Sequence, residues 1–172
     1  TLTLILTLTL ALALTLTLNP NQRLEWLHSR DATARLAFLP CLAEALFVLG
    51  RYFHRVKRDP TSARPVWREL AVRFGDSPYG PSAWWWYARA EAETGHPGSG
   101  ARALLDAANQ APGDAGRVRR AHAFLRKHPQ LAAVMRTELL DCLHRTLKVN
   151  TDPGDRAKVE ALLLKLTPPG PE

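Results

Sequence analysis

Cysteine is scarce in this 172-residue sequence, and that scarcity sets the first limits. Cys41 and Cys142 stand far apart, with no Cys-x-x-Cys or His-x-x-x-His pair anywhere and with six scattered histidines, so a zinc or redox-dithiol site has no ligand spacing to rest on. Each cysteine is flanked by apolar residues at helical intervals, which points to buried free thiols. A disulfide would need an oxidising compartment and Cα atoms within about 7 Å. A glycine-rich phosphate loop, a serine nucleophile elbow and a zincin motif are also missing. The expectation is a chain that is not an enzyme and takes no cofactor or metal. His122 reads as a packed histidine rather than a base, and His54 and His96 read as exposed.

Acidic residues are in deficit. There are 16 of them against 23 basic ones, for a net charge of +7, and 18 of the basic residues are Arg. That surplus suits an acidic partner, whether a peptide, a nucleic acid or an anionic membrane face. The plainer explanation is a codon bias toward Arg on solvated helix faces, where Arg costs little.

Charge is absent altogether from residues 1–18. Leu fills every even position there, and Thr or Ala fills the odd ones except at Ile5. Period-2 alternation is the mark of a half-buried strand, yet 18 extended residues would span roughly 60 Å, far beyond an ordinary strand. Coiled as a helix, the segment would measure about 27 Å, near the thickness of a bilayer core. Three readings stand: a membrane helix or export-signal remnant, a low-complexity repeat, and a strand that pairs with another chain. Length and the lack of charge favour the first. The sequence begins at Thr1 and has no basic n-region, so the expectation is a processed or incomplete chain. Asn19, Pro20 and Asn21 close the segment.

From Gln22 onward the spacing is helical. It predicts helices over 22–38, 40–58, 62–74, 81–94, 99–110, 115–127, 130–148 and 155–166, with no strand beyond residue 18. Pro40 suits the first turn of the second helix. Leu42, Leu46, Leu49, Phe53 and Val56 then recur as its core stripe. Asp59 and Pro60 stop that helix, and Thr61 or Ser62 caps the next. The expected buried set is Leu46, Leu49, Phe53, Trp67, Leu70, Trp84, Tyr87 and Leu104. Residues 1–21 form the low-complexity segment, 22–166 a helical domain and 167–172 a frayed tail.

Between Leu46 and Pro112 the helices fall into two hairpins. Leu46, Leu49, Gly50 and Phe53 precede Ala63, Trp67 and Leu70. Trp84, Tyr87, Ala88 and Glu91 precede Gly100, Leu104, Ala107 and Pro112. This arrangement resembles the tetratricopeptide repeat, whose large and small residues at set positions pack two antiparallel helices. The intervening FGDSPYGPSAW looks like the connector of repeat proteins from bacterial envelope assembly. A third, poorer repeat follows with Val118, Ala121, His122 and Leu125, and it needs one inserted residue to fit. Repeat starts lie 38 and then 34 residues apart. The helix over 155–166 reads as the cap that a solenoid requires.

The resemblance implies an all-α solenoid of about three helix pairs that serves as an interaction scaffold. In that family the first helix of each pair lines a ligand groove. Carried over, the groove positions are Glu44, Phe47, Arg51, His54 and Arg55, then Ser82, Trp85, Arg89, Ala92 and Glu93, then Gly116, Arg119, Ala123, Arg126 and Lys127. The expected partner-binding set is Phe47, Arg51, His54, Arg55, Trp85, Arg89, Arg119, Arg126 and Lys127, and the expected partner an acidic or extended protein segment. The Asn and Lys pattern of the carboxylate-clamp members is not present. A nucleic acid or anionic surface bound by the arginines is the alternative, and residues 1–18 offer a membrane contact. A bacterial envelope setting is favoured over the cytoplasm, and the oligomeric state is open. Within Trp84–Tyr87, the register turns Trp84 and Tyr87 to the partner helix, Trp85 to the groove and Trp86 to the back, since successive helix residues rotate by about 100°.

Overall fold

The computed structural model describes residues 32–166, with side chains from Leu42 onward. The expectations for residues 1–31, for the thiol of Cys41 and for the tail at 167–172 lie outside the described residues. The described chain is all helical and has no strand. Helix α1 runs over Ala32–Arg51 and passes directly into a π-helical turn, Tyr52–Val56. Then follow α2 (Pro60–Arg73), α3 (Gly80–Glu93), α4 (Pro97–Gln110), α5 (Ala115–Arg126), α6 (Pro129–Val134), α7 (Arg136–Val149) and α8 (Pro153–Leu166). No helix among the described residues is long and apolar enough to cross a membrane.

Local chemistry sets most of these boundaries. Helices α2, α4, α6 and α8 all begin on proline, whose missing N–H is unneeded in the first turn. The α2 cap is Asp59, whose carboxylate accepts the Ser62 N–H at 3.0 Å, and not Thr61 or Ser62 as expected. Hydrogen bonds from Ser62 hold the Asp59 carboxyl below the usual carboxylate range. Asp114 caps α5 by accepting the Gly116 N–H at 2.9 Å. Helix α3 ends through Gly95 in the left-handed region, at φ 88°.

Two boundaries differ from expectation. Helix α1 does not break at Pro40; it runs through it, forgoing one i→i−4 hydrogen bond. The helix expected over 130–148 is interrupted at Met135, which sits at φ −97° and ψ 10° between α6 and α7.

The chain divides into two compact units, one up to Ala83 and one from Trp84 on. In the first unit α2 packs against α1 and the π turn. Its centre is Trp67, which is fully buried and lies flat over Gly50; a Cβ on Gly50 would come within 2.7 Å of the indole. That contact corrects the expected register of α1. Ala43, Gly50 and His54 are buried and Phe47, itself half-buried, meets Trp67 between them, while Leu46, Leu49 and Phe53 are half-buried and Val56 is exposed. Helices approach most closely where the residue is smallest, so the bulky indole rotates Gly50 inward and moves the stripe one residue along.

In the second unit each helix packs on its neighbours: α4 on α5 and α7, α5 on α6, α7 and α8, and α7 on α8. Leu104, Leu105, Val118, Ala121, Leu125, Leu139, Leu143 and Val159 make its core. A Cβ on Gly100 would stand 2.6 Å from the Ala88 carbonyl oxygen, so α3 and α4 are in backbone contact there. Of the residues expected to be buried, Trp67, Leu70, Trp84 and Leu104 are so, and Tyr87 is half-buried. Polar ties close the loops. The Asn150 amide donates to the Gly113 carbonyl at 2.8 Å, and its oxygen accepts the Asp152 N–H at 2.8 Å. Arg156 reaches back to the carbonyls of Leu147 and Asn150 at 2.5 and 3.2 Å, where α7 leaves its last acceptors unpaired.

Candidate functional site

The expected binding residues fall in both units, and each unit is described by itself. In the first, Phe47 does not stand free. Its ring stacks on Tyr79 at 4.9 Å and meets the edge of Trp67 at 5.7 Å. Arg51 is exposed, with its guanidinium 5.9 Å from the centre of the Phe47 ring. His54 is buried at 8% exposure, which corrects its expected place on the surface. The reason is the shifted register of α1: His54 lies one turn beyond Gly50, on the side facing α2. Arg55 is exposed. Of the groove positions carried over here, Glu44, Arg51 and Arg55 are therefore the members that face solvent.

In the second unit the aromatic run on α3 splits as helical rotation requires. Trp84 is buried and meets Tyr87 edge-on at 6.3 Å, and its Nε1 has no hydrogen-bond partner among the described residues. Trp85 is half-buried and lies edge-on to Phe124 of α5 at 6.3 Å. The Lys127 ammonium sits 5.9 Å from the Trp85 ring, and His128 packs on Phe124 at 4.7 Å. Trp86 is half-buried under the guanidinium of Arg89 at 5.3 Å.

These contacts sort the cations. Arg89 Nε donates to Glu93 at 2.7 Å, and Arg119 approaches Asp155 of α8 at 3.5 Å. Arg126 and Lys127 are exposed and form no ion pair among the described residues. The structure thus joins Trp85 and Lys127 in one cluster with Phe124 and His128, and it draws Arg89 and Arg119 to carboxylates. Sequence reasoning missed Phe124, His128 and Asp155. The signal for the first two was available: Phe124, Lys127 and His128 are spaced three and four apart at the end of one helix.

The titratable groups inside this unit are held in quiet states. Burial pushes the His122 pKa below its ordinary value of 6.5, and the positive charges of Arg126 and Lys165 push it the same way. Cys142 is a buried free thiol directed at Asn109 Oδ1 at 3.1 Å, and burial raises its pKa. Low thiolate content in a covered site makes an unreactive cysteine. No three His, Cys, Asp or Glu side chains gather as a metal ion would need among the described residues.

No family model matches the chain, no curated protein matches it, and no solved structure matches it.

Proposed function

We propose that the chain is a non-catalytic interaction scaffold built of tetratricopeptide-like helix pairs, and that it holds an acidic, extended segment of a partner protein. Three features of the second unit support the repeat reading. Helices α4 and α5 pack together as a pair, and the next long helices, α7 and α8, pack on that pair and on each other, as stacked hairpins do. Gly100 meets the backbone at Ala88, two positions where the resemblance asks for small residues. The irregular third pair resolves at Met135 into a short and a long piece. The bacterial envelope setting implied by the connector belongs to the same proposal.

The observation that carries the binding site is the Trp85 cluster. A half-buried indole backed by Phe124 offers an apolar anchor of fixed geometry, and Lys127 above it and Arg126 one residue before supply charge that the fold does not neutralise. Trp and Arg are enriched in measured binding hot spots, where large side chains fill well-packed, desolvated pockets. An acidic segment with one apolar side chain fits this arrangement.

The test is a titration of the full chain with a labelled Asp/Glu-rich peptide bearing a single Phe. Trp85→Ala and Lys127→Glu are each expected to weaken binding about tenfold or more, while Arg102→Glu, in an exposed ion pair with Glu138, leaves it unchanged. Equal affinity for all four proteins, or no binding at all, sinks the reading. Nucleic acid is the competing outcome. It would show as an affinity for oligonucleotides that falls steeply with salt and ignores Trp85→Ala.

A further inference from the structure

The face of α1 turned away from Trp67 carries a second apolar line. Val48, Tyr52 and Val56 are 48%, 41% and 70% exposed, and they follow one another at intervals of four. In an unbroken α-helix such a line drifts sideways with each step, because four residues make slightly more than one turn. Here the Lys57 N–H reaches the Tyr52 carbonyl at 3.0 Å, an i→i+5 bond. A turn closed that way advances through a smaller angle per residue. The π turn therefore keeps Val56 in line with Val48 and Tyr52.

Cations crowd the same end. Arg51, Arg55, Lys57 and Arg58 are all exposed within eight residues. Lys57 leans over the Tyr52 ring at 5.8 Å. The neighbouring carboxylate, Asp59, is committed to capping α2. Arg58 stands at φ 54°, a left-handed backbone that carries its side chain out of the helical path. Single exposed valines are ordinary on a surface, but three apolar residues in line beside four cations form an amphipathic face.

We propose that this face docks on an anionic lipid surface. The aliphatic line enters the boundary between headgroups and acyl chains, Tyr52 sits at headgroup level, and the long cationic side chains extend to the phosphates. The chemistry favours lipid over nucleic acid, since two of the three apolar residues are valines, which offer no ring for a base to stack on. The helix lies along the surface, as no described helix can span a bilayer. The uncharged residues 1–18 of the same chain suit a membrane setting as well, and two weak attachments together give the stable anchoring that one does not.

The test is co-sedimentation of the full chain with vesicles of phosphatidylcholine alone and of equal parts phosphatidylcholine and phosphatidylglycerol. Binding is expected on the mixed vesicles and much less on the neutral ones. Each cation near such a surface contributes roughly fivefold in partitioning, so Lys57→Gln with Arg58→Asn should weaken binding about 25-fold. Asn tolerates the left-handed backbone at position 58. Val48→Ser with Val56→Ser should weaken it separately, with helicity by circular dichroism unchanged in both double variants. Arg145→Gln with Lys148→Gln removes the same charge from exposed positions of the second unit and should change nothing. Equal binding to both vesicles would mean that residues 1–18 act alone, and an equal loss in the control pair would mean that net charge is all that counts. Either overturns the proposal. So would variants that keep full vesicle binding while losing an acidic helical peptide or an oligonucleotide.

Discussion

In the unit up to Ala83 one indole fills the space that a glycine leaves, whereas from Trp84 onward leucines, alanines and valines share the packing among many contacts. Trp67 is completely enclosed, with Gly50 beneath it and Phe47 at its edge. The second unit has no such centre of gravity; Leu105, Val118, Leu125, Leu143 and Val159 are fully buried and are shared among α4, α5, α7 and α8. Its loops are also tied by side chains that span more than thirty residues, such as Asn150 to Gly113. Concentrated packing makes the first unit most sensitive at Trp67, and distributed packing spreads the second unit's sensitivity over several positions.

The largest effect that tests this contrast is Trp67→Ala. Truncating an enclosed aromatic costs roughly 3–5 kcal/mol, and among the described residues of this unit Trp67 is the largest side chain that is fully buried. Chemical denaturation followed by circular dichroism should show the loss. Leu143→Ala, equally enclosed, should cost less because its neighbours can settle into the gap. A cost for Leu143→Ala equal to that of Trp67→Ala would erase the contrast.

Next in size is Gly100→Ala. The added methyl would stand 2.6 Å from a backbone oxygen, which cannot turn aside as a side chain can. Overpacking of this kind costs about 1–3 kcal/mol, even though alanine is the better helix former. A thermal midpoint that rises on this change would mean that α3 and α4 are not in backbone contact.

The smallest effect concerns pH. His122 is held below its ordinary value of 6.5 in the folded chain, so between its folded and unfolded pKa the unfolded state binds more protons. Its contribution to stability is complete above 6.5 and is lost as pH falls through the lowered folded pKa. Arg126 and Lys165 are the charges that face it, and both act in the same direction. The denaturation midpoint should thus fall between neutral and mildly acidic pH, and His122→Gln should flatten that part of the profile. An unchanged profile would place the pH dependence elsewhere.

Helix positions were legible in the sequence wherever punctuation was local. Proline and aspartate at the starts of α2, α4, α5, α6 and α8, with glycine after α3, put the expected ends there within about two residues of the observed ones. The misses have non-local causes. Pro40 looks like a boundary because proline favours a first turn, yet a helix can carry one when packing outweighs the lost bond. The π turn has no residue signature at all. Gly50 was read correctly as a packing position against the helix of Trp67, but the stripe through Leu42, Leu46, Leu49, Phe53 and Val56 was weighed by hydrophobicity, while close approach at Gly50 turns Ala43 and His54 inward instead. The same misreading put His54 outside and left Phe47 free. In the candidate site, Trp85 and Lys127 came only from the resemblance to the repeat family, whereas Asp155 reaches Arg119 from a helix far along the chain and no local pattern announces it.

Asn150 couples events that the chain order would separate. Its one carboxamide touches the loop before α5 and the loop before α8, and Arg156 closes the end of α7 from the other side. A terminal helix ordinarily frays from its tip, residue by residue, and its amides exchange with solvent in a graded series. Here α8 cannot leave without breaking the seal on α7 and freeing the Gly113 carbonyl. The last two long helices and that loop therefore open as one cooperative block, and their amides exchange together at a shared, slower rate.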